Sequence, residues 1–331
     1  MSSQTYVVAG DAALLINADG SRKYLHYVDS NIVSKVLTGA VTTDGTADAV
    51  YQYGWGGFAL VDYRPDGTLS HIGLNPALPL PRLSGDYALT LDGTADVMGG
   101  DGAEVIFRLD YGLDADRGTI HYAYDHATGA VKTLLTAAGG AEVQGFGDLD
   151  GNGKADVVYT DAAGGLHVQL DGGRDVALSQ VTADPAVSVA AVADFHDDGA
   201  GLDEVLFFNR DTRAFDVWVK GPAGADSGAM GGVDYLKTVF TLPDAWSFLG
   251  AGDYDGDGTA DLLIGLVSDT GRHAAGARSP LAFWSVGQET LVELGAHEAG
   301  LIAGPIEVAG TDGGRLMPGA VVPVGVDPGL V

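Results

Sequence analysis

The chain is 331 residues long, 46% hydrophobic, rich in glycine and free of cysteine, with a net charge of −28. That length allows one large all-β domain or two ordinary ones, and the charge opposes nucleic acid and anionic membranes as partners while suiting bound cations. Without cysteine there are no disulfides or thiolate metal sites, and no apolar run nears the roughly 20 residues of a membrane helix.

Taken in chain order, the elements read as short strands. "TYVVAGDAALLINADGSRKYLHYV" at 5–28 matches the second, third and fourth strands of a repeating unit and lacks a first. "TTDGTADAVYQY", 42–53, is an acidic turn running into a strand. "GFALVDY" comes next as an alternating third strand, "RPDG" as its turn, and "TLSHIGL" as a polar fourth. "TLDGTADVMGG", 90–100, reads as the next acidic turn. "EVQGFG" then leads into "GFGDLDGNGKADVVY", 145–159, with "GLHVQL", "LDGG" and "DVALSQV" behind it. "VADFHDDGAGLDEVLFF", 192–208, and "GDYDGDGTADLLIG", 252–265, repeat the acidic turn, each with its third strand, "AFDVWV" and "LAFWSV". No long pattern of 3.6-residue period is present, so little helix is expected.

Taking the last acidic residue before each apolar run as an anchor gives Asp48, Asp96, Asp156, Asp203 and Asp261, with a degenerate sixth near Asp312. A spacing near 50 residues with four strands per unit is the signature of a β-propeller. "PIEVAG" at 305–310 supplies the first strand that the N-terminal unit lacks, so the two ends are expected to share a blade and remove an open sheet edge. The expectation is one all-β domain over 1–331 with six four-stranded blades. Seven is the alternative if "GAVVPVGV" at 319–326 pairs as a further second strand.

The repeats resemble FG-GAP repeats, also called VCBS repeats, of integrin α-chain heads and many bacterial secreted proteins. The resemblance covers nearly the whole chain. Its specific part is the loop D-x-[DN]-G-[DN]-G-x-x-D, complete at 148–156 and 253–261, modified at 194–203 and eroded in the units ending at Asp48 and Asp96. It implies that each loop joins the first two strands of a blade and holds calcium on one face of the propeller, with ligands, in the integrin case, on the other.

The residue types agree with that chemistry. Ca²⁺ takes six to eight hard oxygen ligands. Asp148, Asp150, Asn152 and Asp156, and again Asp253, Asp255, Asp257 and Asp261, offer side chains at positions 1, 3, 5 and 9, with the carbonyls of Lys154 and Thr259 at position 7. Two calcium sites are expected. The loop with Asp194, His196, Asp198 and Asp203 is a candidate third, its second carboxylate replaced by histidine. The competing reading is a set of solvated Asp-Gly turns. The loops ending at Asp48 and Asp96 read as hairpin turns without metal.

No catalytic motif stands out. G-x-S-x-G and H-E-x-x-H are missing, and the glycine spacing of "GFGDLDG" beside aspartates does not suit phosphate. Trp218 and Trp284 fall at equivalent third-strand positions and read as blade packing. Of eleven arginines, Arg117, Arg210, Arg213, Arg272 and Arg278 fall between second and third strands, on the face opposite the acidic loops, as do Trp55 and His273. That face is the expected ligand surface, with Trp55, Arg210, Arg213, Arg272, His273 and Arg278 as its residues. The whole reads as a calcium-stabilised extracellular or cell-surface recognition or adhesion module for a glycan or protein, although no signal peptide is evident. A polysaccharide- or lipid-acting enzyme with a funnel site, and a structural subunit of an extracellular assembly, are the alternatives.

Overall fold

The computed structural model describes residues 4–308 except 10–11, 18–21, 28–31, 40, 45–47, 65, 67, 75–87, 101, 111–117, 138–140, 171–172, 179–185, 197–200, 220–234, 245, 253–256, 267–280 and 294–305. Among the described residues all regular elements are strands. The first three are β1 (Gln4–Ala9), β2 (Ala12–Asn17) and β3 (Arg22–Tyr27). Five sheets of consecutive strands come after them. The first holds β4 (Val33–Gly39), β5 (Asp48–Tyr53), β6 (Phe58–Tyr63) and β7 (Leu69–Leu74). The second holds β8 (Ala88–Ala95), β9 (Glu104–Asp110), β10 (Thr119–Tyr124) and β11 (Val131–Ala137). The third holds β12 (Glu142–Gly147), β13 (Asp156–Thr160), β14 (Leu166–Leu170) and β15 (Arg174–Ala177). The fourth holds β16 (Val187–Ala193), β17 (Glu204–Asn209), β18 (Ala214–Val219) and β19 (Tyr235–Thr241). The fifth holds β20 (Trp246–Gly252), β21 (Asp261–Leu266), β22 (Leu281–Ser285) and β23 (Thr290–Glu293). A last strand, β24 (Ile306–Val308), pairs antiparallel with β1, placing Val7 opposite Val308 and Ala9 opposite Ile306, and completes a sheet β24-β1-β2-β3 from the two ends of the chain.

The first strands β4, β8, β12, β16 and β20 lie side by side in that order, and β24 is next to β20. The sheets are therefore blades set around these strands, and the architecture is a β-propeller. Apolar side chains of each blade meet the next. Leu60 and Phe58 pack with Leu91 and Phe107, Ile106 with Phe146 and Val157, Val158 with Val192 and Phe207, and Leu206 and Phe215 with Leu262 and Ile264. Trp218 is buried in one of these layers, and Trp284 stacks on Phe240 at 4.7 Å beside another. Both tryptophans are packing residues, as their third-strand positions suggest.

Each of the five second strands is central in its blade and covered on both faces, and each opens on an acid succeeded by apolar residues: "DAVY", "EVIF", "DVVY", "EVLF" and "DLLI". The blade repeat is thus carried by Asp48, Glu104, Asp156, Glu204 and Asp261, all buried. Two anchors read from the sequence move. Asp96 stands just after β8, because "LDGTA" continues that strand through a bulge between Leu91 and Gly93 rather than forming a hairpin turn. Asp203 stands one residue before β17, so Glu204 opens the strand. The sixth anchor near Asp312, and "GAVVPVGV", lie outside the described residues.

Blades approach closely where glycine faces a neighbour. A Cβ on Gly147 would fall 2.5 Å from Val192 Cγ1 and 2.8 Å from Asp203 Oδ2. Gly147→Ala is therefore expected to destabilise the fold by about 1–3 kcal/mol, the usual range for overpacking, read as a lowered urea midpoint. An unchanged midpoint would show that the two blades can part without cost.

Candidate metal-binding loops and the opposite face

In four of the five blades a described residue of the turn between the first two strands is bonded to the buried acid that ends it. Asp48, Glu104, Asp156 and Asp261 pair across the ladder with Gly39, Ala95, Gly147 and Gly252, and Glu204 with Ala193. Each carboxylate accepts backbone amides of its own blade. Thr42 N–H donates to Asp48 Oδ2 at 2.6 Å, Val97 N–H to Glu104 Oε2 at 2.8 Å, Leu149 N–H to Asp156 Oδ2 at 3.1 Å and Phe195 N–H to Glu204 Oε2 at 2.8 Å. Asp261 Oδ1 accepts from Val286 N–H at 3.2 Å. A buried carboxylate is tolerable only when hydrogen-bonded, so this acid is first a structural device. Glu104 and Glu204 escape a search for Asp-Gly turns. Their signal is an acid directly before three apolar residues.

The loop 148–156 goes further. Asp148, Asp150 and Asp156 place carboxylate oxygens within 4.8 Å of one another. Asp148 shapes the loop: its Oδ1 accepts from Gly151 N–H (2.8 Å) and Asn152 N–H (3.0 Å), and its Oδ2 from Gly153 N–H (2.8 Å). Asp150 Oδ1 accepts from Asn152 N–H at 3.2 Å, and Asn152 Oδ1 from Lys154 N–H at 2.8 Å. Gly151 and Gly153 both hold φ of 80°, the left-handed turn that coils the chain around these oxygens. A carboxylate offers about four lone-pair sites, so the amides leave acceptor capacity for a cation. Three hard, charged oxygens so close together fit Ca²⁺, which would neutralise their mutual repulsion when bound.

The described part of the second complete loop repeats this geometry. Thr259 N–H donates to Asp257 Oδ1 at 2.8 Å, as Lys154 does to Asn152, and Gly258 has φ of 94° beside Gly153's 80°. Asp261 is fully buried, while Asp253 and Asp255 lie outside the described residues. In the modified loop, Asp194 and His196 are half-buried, and Asp198 lies outside the described residues. Asp203 reaches the loop of the preceding blade. Its Oδ2 accepts the Asp148 N–H there at 2.6 Å, because Asp203 stands just before the buried acid, a place that borders the neighbouring loop in the following and preceding blades alike. In the loop after β8, Asp96 takes the role of Asp148, with Gly99 N–H donating to its Oδ1 at 2.7 Å. Met98 and Gly100 occupy the places of Asp150 and Asn152, so this loop offers no oxygen side chain at those two positions.

On the first blade an open cleft of about 380 Å³ is lined by Thr42, Thr43, Asp44, Asp62, Arg64 and Asp66. Asp62 is nearly enclosed and its Oδ2 accepts from Arg64 Nε at 3.0 Å. Burial pushes the neighbouring Asp48 carboxyl up to about 6, its amide partners Thr42 and Tyr63 pull against that shift, and the Asp62 charge adds to it. A carboxyl whose folded pKa exceeds its unfolded one favours folding when protonated. Its contribution is complete below about pH 4 and fades as pH rises through about 6, for a total on the order of 2–3 kcal/mol. Asp48→Asn is expected to flatten that part of the stability–pH curve, measured by urea unfolding in chelator. A curve as steep as wild type would assign the dependence to another group.

The opposite face is partly described. Arg272, His273 and Arg278, with Arg117, lie outside the described residues. Trp55 is 70% exposed and stacks on Tyr53, ring centroids 4.4 Å apart and planes 3° from parallel. Its turn is fixed by Gly54 N–H to Ile32 C=O and Gly56 N–H to Tyr53 C=O, both 2.8 Å. Arg210 is exposed, its amide bonded to Ala186 C=O at 2.9 Å. Arg213 is otherwise engaged. Its Nε donates to Leu242 C=O (2.9 Å) and its Nη2 to Pro243 C=O (2.9 Å) and Trp246 C=O (2.6 Å), clamping the link from β19 to β20. The expected ligand residue is thus a clamp between blades. Arg213→Ala should cost about 1–3 kcal/mol through three lost charge-assisted bonds to carbonyls, seen as a lower melting temperature. An unchanged melt would return Arg213 to the ligand surface.

Among solved structures, the chain is similar to an Agrocybe aegerita lectin studied for specific recognition of non-reducing terminal N-acetylglucosamine, at 13% identity and TM-score 0.48, covering 94% of this chain and 96% of that one. It is also similar to an oligogalacturonate lyase from Vibrio parahaemolyticus, at 10% identity and TM-score 0.45, covering 87% of this chain and 73% of that one. No protein-family model and no curated protein matches the chain.

Proposed function

We propose that this chain is a calcium-stabilised β-propeller recognition module of the FG-GAP type, working outside the cell or at its surface on a glycan or protein. The sheet shared by the chain ends is read as its sixth, closing blade. The observation that carries the metal half is the convergence of Asp148, Asp150 and Asp156 within 4.8 Å in a glycine-coiled loop. Ca²⁺ is held there, and a second ion by Asp253, Asp255, Asp257 and Asp261. The recognition half rests on the exposed Trp55–Tyr53 stack on the other face. A flat aromatic platform suits an apolar sugar face or a partner's side chain, and aromatic residues recur at binding hot spots. With Arg213 committed to packing, Trp55 and Arg210 are the described residues left for this role.

The test is a glycan array and partner pulldown with Trp55→Ala and Arg210→Ala. Binding should fall at least tenfold while stability stays within about 1 kcal/mol of wild type, as for exposed substitutions generally. Undiminished binding by both variants, with loss in Asp150→Ala, would move the site to the acidic face.

A further inference from the structure

One backbone hydrogen bond recurs between acidic loops of successive blades. Ala155 N–H donates to Asp96 C=O at 2.6 Å, Asp203 N–H to Asp148 C=O at 3.0 Å and Ala260 N–H to Asp194 C=O at 2.5 Å. The acceptor is each time the first residue of a loop. The donor is the residue just before the buried acid of the next blade: Asp156, Glu204 or Asp261.

At two junctions the donor is alanine, whose side chain can add no polar contact. At the middle one the donor is Asp203, whose side chain returns to the same residue, its Oδ2 accepting Asp148 N–H at 2.6 Å. Both backbone groups of Asp148 are thereby held by one residue of the neighbouring blade. Gly147 leaves the room this needs, since a Cβ there would lie 2.8 Å from Asp203 Oδ2. Asp148 in turn organises the loop through three amides, those of Gly151, Asn152 and Gly153.

We propose that Asp203 is a positioning residue for the metal loop of the preceding blade: it fixes the backbone of Asp148, and so sets the calcium affinity of the loop 148–156. This rests on the calcium reading of that loop. Groups that orient a metal ligand without touching the metal commonly change affinity 10–100-fold when removed, because a ligand held in place need not be ordered on binding. The Asp203 charge also lies near the loop, so position and charge must be separated. Asn at 203 keeps an oxygen acceptor for the Asp148 amide and removes the charge, whereas Ala removes both.

The experiment is calorimetric calcium titration of the full chain, with wild type, D203A, D203N and D150A, and thermal melts in chelator alongside. Wild type should bind, D150A should lose one site, D203A should weaken that site at least tenfold, and D203N should stay within about threefold of wild type. D203S replaces D203A if the latter does not fold. A D203A or D203S protein that matches wild type in affinity while D150A loses the site overturns the positioning role and leaves the calcium reading standing. Weakening by D203N as large as by D203A overturns it in favour of simple charge attraction. No calcium binding by wild type overturns both.

Discussion

Deleting residues 1–28 is expected to abolish cooperative folding. Three of the four strands in the sheet that joins the chain ends, β1 to β3, come from this segment, and β24 pairs with β1. Without them β24 keeps no described ladder partner, and β20, which neighbours it, borders an open side. Val36, Ala49, Tyr51, Val61 and Tyr63 form an apolar layer on the face of the first blade turned away from the second, which the sheet from the chain ends would cover in the proposed six-blade arrangement. Unpaired edges and an uncovered apolar face promote association between chains. The truncated protein should elute as aggregate and melt without a sharp transition. Removal of 301–331, which takes β24, should do the same. A soluble monomer with wild-type melting from either truncation would show that the ends form an appendage instead of a closing blade.

Calcium removal is expected to have the second large effect. An ion that binds only the folded state adds RT ln(1+[L]/Kd), about 2.7 kcal/mol per site at a hundredfold excess over Kd. The two proposed sites would therefore contribute roughly 5 kcal/mol, a substantial part of ordinary domain stability. Chelator should lower the melting temperature markedly, and Asp150→Ala with Asp255→Ala should remove most of that sensitivity. Asp150 is the better choice in its loop because Asp156 is buried and bonded to the Leu149 amide, so its loss would damage the blade with or without metal. Identical melting curves with calcium and with chelator would sink the metal reading.

The pentapeptide "DGTAD" occurs at 44–48, 92–96 and 257–261. In the first and last copies its final aspartate opens a central strand. In the middle copy the first four residues belong to β8, and Asp96 begins the loop. The pentapeptide by itself cannot separate the three, because each copy can coil as a turn or extend with a bulge. The difference lies in the next residues along the chain. "AVY" and "LLI" can be buried on both faces, whereas "VMGG" cannot, so the central strand waits for "EVIF" and takes Glu104 as its acid.

Composition and periodicity alone determined the all-β class, four strands to a unit, the acidic loops between first and second strands, and the complementary strands at the two ends. These come from local rules, the alternation of side chains along a strand and the backbone freedom of glycine in tight turns. Only the tertiary structure decided which acid is buried in each blade, that Arg213 reaches carbonyls about thirty residues away, and that Asp203 serves Asp148 across a separation of 55 residues. Those assignments depend on which loops the packed blades bring side by side, and a side chain of arginine or aspartate finds its partner only after that packing exists.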